Sequence, residues 1–259
     1  MKLVLRFLMV VSGTALIVIG AQSCSTSVPS KTTVVVVHGA WGGGWAFREV
    51  DSILTSNGYS VYRPTLTGLG ERVHLAGPDV NLSTHIEDVS NMILFEELHD
   101  IVLLGHSYGG MVVTGVADRV PDRIRHLIYL DAFLPEHNES VMELADDAAW
   151  IEQMTRGDLV VPLWVNPGQP PPKDEPHPLH SFTESMVLKN QAARDIPGTY
   201  ILTVEKGVDA SSDDFAKYAE RARMRGWKVL QLEADHNPQW NAVKPFSEML
   251  MGIVKTSVQ

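Results

Sequence analysis

The chain contains a single cysteine, Cys24, so no intramolecular disulfide can form and no cysteine set exists for a structural zinc. Ten histidines are present, but none falls in the His-Glu-x-x-His spacing that would place two ligands on one helix face. Basic residues are scarce, 21 Lys and Arg against 31 Asp and Glu, and nowhere cluster. A net charge of −10 without a basic run excludes a nucleic-acid partner, since phosphate binding needs gathered cations to release counterions. Nothing in the pattern calls for a metal or another cofactor. Long apolar runs are also lacking beyond the N-terminus, where the mainly apolar segment from Phe7 to Ala21 is short for a membrane span.

That segment follows Lys2 and Arg6 and precedes Ala21-Gln22-Ser23-Cys24 and a polar Ser/Thr stretch, which reads as an export signal over residues 1–24. It resembles a bacterial lipoprotein signal, in which Cys24 would be lipidated and anchor the protein to a membrane. An ordinary cleaved secretory signal with an incidental Cys24 is the alternative. Either reading implies an exported protein, periplasmic or membrane-anchored.

At 259 residues with 44% hydrophobic and 20% charged residues, the chain has the composition of one folded domain, over residues 25–259. The β-branched run Thr32 to Val37 predicts a strand buried on both faces of a parallel sheet. Further strands are expected at 59–63, 101–104, 124–130, 199–203 and 228–232. Between them Phe47, Val50, Ile53 and Leu54 recur with helical spacing, as do Leu82, Ile86, Val89 and Ile93, with Thr84 to Glu87 as a capping box. Met111 to Val120 reads as another helix. This alternation specifies an α/β fold, a mostly parallel sheet with helices on both faces, because parallel neighbours need crossover connections. Residues 134–197 break the rhythm with no clear strand pattern and read as a cap inserted between the fourth and fifth strands, roofing the strand ends where ligands bind.

The sharpest chemical signal is Gly105-His106-Ser107-Tyr108-Gly109, directly after a strand and before a helix. A serine on such a tight turn is exposed at the helix N-terminus, and its neighbours must be glycine because a larger side chain would strike the adjoining strand and helix. Acyl transfer develops negative charge on a carbonyl oxygen, for which two backbone N–H groups must already be aimed. Ala40, in His38-Gly39-Ala40 after the first strand, and Tyr108 are placed to supply them. His38 itself is expected to brace this loop. A base belongs after the last strand, where Ala234-Asp235-His236 stands, and no other histidine is comparably placed. His85, for one, is expected on a helix surface. For the acid, the turn after the fifth strand offers Glu205, nearest the strand end, and Asp209, four residues on. Asp131, at the end of the fourth strand, is a third candidate, expected rather to hold the cap entrance. Trp41, Trp150 and Trp164 are candidate walls of an aromatic substrate pocket.

Taken together, His38 to Trp45, Thr65-Leu66-Thr67-Gly68-Leu69-Gly70, Gly105 to Gly110, Leu130 to Pro135 and Ala234-Asp235-His236 resemble the α/β-hydrolase branch that contains plant methylesterases, hydroxynitrile lyases and bacterial esterases. The resemblance implies the α/β-hydrolase fold and hydrolysis of a small carboxylic ester through Ser107, His236 and an acid, by way of an acyl-enzyme. Glu205 stands where that branch usually has an aspartate, which leaves the acid open. The lyases carry a threonine after the first-strand histidine and a lysine after the catalytic one; here Gly39 and Asn237 occupy those places, favouring hydrolysis. A ligand-binding homologue without turnover is the remaining alternative, against which export argues.

Overall fold

The computed structural model describes residues 31–257. The export signal and Cys24 lie outside them. Six strands form one sheet, β1 (Thr33–Val37), β2 (Ser60–Tyr62), β3 (Ile101–His106), β4 (Ile124–Leu130), β8 (Gly198–Val204) and β9 (Lys228–Glu233). Every neighbouring pair runs parallel, in the order β2-β1-β3-β4-β8-β9. The four valines of β1 are buried because successive side chains point to opposite faces and both faces are covered. Val35 and Val37 join one apolar cluster, Val34 and Val36 the other. Each such valine contributes roughly 1.5–3 kcal/mol by burial.

Helix Leu82–Phe95 packs Leu82, Ile86, Val89 and Ile93 into the first cluster, the face its spacing predicts. Its start differs from the expected Thr84 to Glu87 pattern. Asn81 is the cap, its side chain accepting from the Thr84 N–H at 3.0 Å. Asparagine outranks threonine at this position, and it stands three residues earlier, so the helix gains most of a turn. His85, three residues after Leu82 and four before Val89, shares their inner face and is fully buried, not on a surface.

Between β4 and β8 the chain leaves the sheet. This excursion contains short helices and three two-residue strands, β5 (Thr155–Arg156), β6 (Leu159–Val160) and β7 (His177–Pro178), paired antiparallel into a small second sheet. Strands so short leave no alternation for a sequence pattern to reveal. Among the described residues no helix is long and apolar enough to cross a membrane.

Candidate active site

Ser107 sits one residue past β3 with φ of 54°, a left-handed conformation that costs a non-glycine residue energy and persists only where its surroundings impose it. The surroundings here are close-packed. A Cβ on Gly105 would lie 2.6 Å from the Gly109 carbonyl oxygen, and one on Gly109 would lie 2.5 Å from that of Val37. The flanking glycines are therefore steric requirements of the turn. Ser107 Oγ donates to His236 Nε2 at 2.9 Å.

The carboxylate against the imidazole belongs to Asp131. His236 Nδ1 donates to Asp131 Oδ2 at 2.6 Å, while Asp131 Oδ1 accepts from the Thr203 N–H at 3.1 Å. Asp131 is buried and also adopts a left-handed backbone, φ 44°, with its N–H bonded to the Ile201 carbonyl at 2.8 Å. Here the preferred acids of the sequence reading are corrected. Glu205 is exposed, its carbonyl accepts the Val208 N–H at 3.0 Å, and its carboxylate makes no hydrogen bond to His236. Asp209 is also exposed and caps the following short turn, accepting from Ser211 N–H and Oγ, each at 2.9 Å. That capping N–H holds the Asp209 carboxyl below its usual range. Strand order supplies the reason. β4 lies beside β3 with His106 opposite Leu130, so Ser107 and Asp131, the next residue of each strand, emerge side by side. Glu205 leaves from β8, one strand further from the serine.

The loop after β9 must bring His236 back across β8, and two contacts hold it. Ala234 N–H bonds the Val204 carbonyl at 3.2 Å, and His106 Nε2 donates to the main-chain carbonyl of His236 at 2.8 Å. Burial, helped by the neighbouring His236, lowers the His106 pKa to about 3, so its imidazole is neutral, with Nε2 carrying the proton. Phe215 closes the other side, stacked on the His236 ring at 4.9 Å and 14°. The sequence pattern does not single out His106, because it occupies only the variable position of the serine turn. Phe215 lies in a stretch without any motif.

Ala40 lines the cavity that holds Ser107, Tyr108 follows Ser107 in the turn, and among the described residues neither backbone N–H has a hydrogen-bond acceptor. His38 braces their loop as expected from its position. It donates from Nδ1 to the Gly39 carbonyl at 2.7 Å and accepts the Leu66 N–H at Nε2, 3.1 Å. Burial holds its pKa near 4. Tyr108 is pinned through its hydroxyl, which donates to His85 Nδ1 at 2.8 Å, with His85 Nε2 in turn donating to the Thr67 carbonyl at 2.9 Å.

A cavity of about 410 Å³ opens over Ser107 and His236, walled by Trp41, Trp164 and Trp240. Trp41 is clamped by the cap at three points. Its N–H donates to His177 Nδ1 at 3.2 Å, its indole N–H to the Val160 carbonyl at 2.9 Å, and its carbonyl accepts the Glu175 N–H at 2.8 Å. Trp164 meets it edge-on at 5.0 Å. Trp150 packs on Trp41 at 5.9 Å but lines a separate concavity with Phe133 and Phe215, so two of the three expected tryptophans, Trp41 and Trp164, line the cavity that holds Ser107. Among the described residues no group of three His, Cys, Asp or Glu side chains is placed to hold a metal ion.

Comparison with known proteins adds to this geometry. Residues 34–249 match the model of the alpha/beta hydrolase family. The chain is 56% identical over 114 residues to a carbendazim hydrolyzing esterase of Nocardioides sp. (strain SG-4G), covering 44% of this chain and 47% of that one. It is 30% identical over 129 residues to Methylesterase 2 of Arabidopsis thaliana, covering 44% of each. The matched segments thus span less than half the length of these relatives. Among solved structures, an extracellular alpha/beta-hydrolase from a Paenibacillus species superposes with a TM-score of 0.71 at 22% identity, over 85% of this chain and 98% of that one.

Proposed function

The chain belongs to the alpha/beta hydrolase family, and from that premise we propose that it is a serine esterase cleaving a small carboxylic ester through an acyl-enzyme. The observation that carries this reading is the continuous relay from Asp131 through His236 to Ser107, at 2.6 and 2.9 Å, beside two unengaged amide N–H groups. The names of the Nocardioides and Arabidopsis relatives support the same activity.

In this mechanism Asp131 fixes the tautomer with the proton on Nδ1, leaving Nε2 free to accept the Ser107 proton as Oγ attacks the ester carbonyl carbon. The resulting oxyanion lies against Ala40 and Tyr108 N–H, each such donor being worth about 3 kcal/mol. Collapse breaks the ester C–O bond, and His236 returns its proton to the departing alkoxide, leaving the acyl group on Oγ. Water then attacks that acyl carbon, gives its proton to Nε2, and the acid departs as Oγ is reprotonated.

The experiment is a panel of acyl and alcohol chain lengths, with carbendazim included, assayed with wild type, Ser107→Ala and His236→Ala. Wild type turns over at least one small ester, and each variant loses a factor on the order of 10^4 to 10^6 in kcat while remaining folded. More than about a tenth of the activity left in either folded variant would overturn the assignment. We also infer export from the charged and apolar pattern ahead of Cys24, and mass spectrometry of the mature N-terminus tests it.

A further inference from the structure

The cavity over Ser107 is lined by aromatic and imidazole rings, main chain and the amides of Asn237 and Gln239, and Asp174 is its single carboxylate. Asp174 comes from the cap, and its position is built. Its Oδ2 accepts the Trp164 indole N–H at 2.8 Å, and the N–H of the next residue, Glu175, bonds the Trp41 carbonyl at 2.8 Å. These two contacts hold the carboxylate over the loop that carries Ala40. A Cβ added to Gly42 would lie 4.0 Å from Asp174 Oδ1 and 3.8 Å from the Ala40 carbonyl oxygen. Lys173 does not neutralise it by contact, because its ammonium is paired with Glu175 at 2.7 Å. Among the described residues Asp174 Oδ1 has no hydrogen-bond partner, although burial, with Glu175 adding to it, raises the pKa of the group.

With Oδ2 committed to Trp164, the second carboxylate oxygen of Asp174 is left to accept a hydrogen bond from a ligand in the cavity. The rest of the wall indicates what kind of ligand. Trp41, Trp164 and Trp240 line the cavity, an aromatic wall against which a planar aromatic group can pack. The free amides of Ala40 and Tyr108 take the carbonyl oxygen.

Resting on the esterase reading above, we propose that Asp174 is a specificity-determining residue that selects aromatic esters carrying an N–H donor, which donates to its Oδ1 while the carbonyl lies between Ala40 and Tyr108. A charge-assisted bond of this kind is worth about 10-fold to 100-fold in kcat/KM.

The test compares two probes that differ by one N–H, methyl N-phenylcarbamate and methyl N-methyl-N-phenylcarbamate, with p-nitrophenyl acetate as an ester that has no such donor. Wild type prefers the N–H carbamate by about tenfold or more. In Asp174→Asn the indole of Trp164 still requires an acceptor, so the amide turns its oxygen there and presents its NH2 to the cavity, replacing an acceptor with a donor. The preference ratio then falls to about one or below, whatever the variant's absolute rate. No preference in wild type, an undiminished preference in Asp174→Asn, or turnover of p-nitrophenyl acetate but of neither carbamate each overturns the role of Asp174. Failure of wild type to hydrolyse any ester overturns the esterase reading itself, which keeps the two failures apart.

Discussion

Replacing Asp131 by asparagine isolates the acid of the relay with little change in shape. The side chain is buried and bonded on both oxygens, to Thr203 N–H at 3.1 Å and to His236 Nδ1 at 2.6 Å. In the variant the amide oxygen keeps the Thr203 bond, since that donor cannot change, and the NH2 must face His236. Nδ1 then becomes an acceptor and the ring proton moves to Nε2, where it points at Ser107 Oγ and blocks proton removal. The same inversion in the Ser-His-Asp triad of serine proteases costs about 10^4 in kcat. With 1.36 kcal/mol per decade, a 10^3 to 10^4 loss corresponds to about 4–5.5 kcal/mol of transition-state stabilisation. The assay is kcat on p-nitrophenyl acetate for purified Asp131→Asn, Glu205→Gln and Asp209→Asn, with circular dichroism to verify folding. Asp131→Asn loses roughly 10^3-fold or more, whereas the other two change by less than about threefold because their side chains are exposed and neither is bonded to the imidazole. A folded Asp131→Asn within tenfold of wild type, or a larger loss from Glu205→Gln, would refute the reasoning.

His106→Ala removes the bond that holds the His236 main chain, and is expected to lower kcat by about 10-fold to 100-fold with KM little changed, while His106→Gln, which can still donate, recovers part of it; equal losses in both would deny it a positioning role. Acid should destabilise the fold. His38 and His85, held near pKa 4 by burial, and His106, near 3, each bind a proton in the unfolded chain around the ordinary value of 6.5 but not in the native state. Their stabilising contribution is therefore complete above about pH 6.5 and is lost as pH falls toward 4, so Tm drops steeply over that window and the drop is shallower in His85→Gln. A Tm flat from pH 7 to 4.5 would count against neutral buried imidazoles. Cys24→Ala should release the protein from the membrane fraction if the cysteine is lipidated, and unchanged fractionation would remove that role.

The six principal strands lie within about one or two residues of where hydrophobic patterning places them, because each is specified by its own run of β-branched and apolar residues. The serine turn was legible for the same local reason. Gly105 is demanded by the helix that immediately follows the turn, while Gly109 is demanded by the Val37 carbonyl of β1, a distant contact that the fixed spacing of the motif nonetheless encodes. That His236 would lie against Ser107 was expected because a base must follow the last strand. The carboxylate against its ring was not, since that depends on which strands are neighbours. Chain order suggests the turn after β8, but the sheet order β2-β1-β3-β4-β8-β9 sets β4 against the serine strand, so that Asp131 reaches the imidazole while Glu205 points to solvent. The burial of His85, the grip of His106 on His236 across 130 positions of sequence, and the hold of the cap on Trp41 and Asp174 belong to the same class. Propensity, periodicity and turn sterics act over a few residues and can be read along the chain; contacts between residues a hundred positions apart follow from strand order and register, which only the assembled sheet and its cap determine.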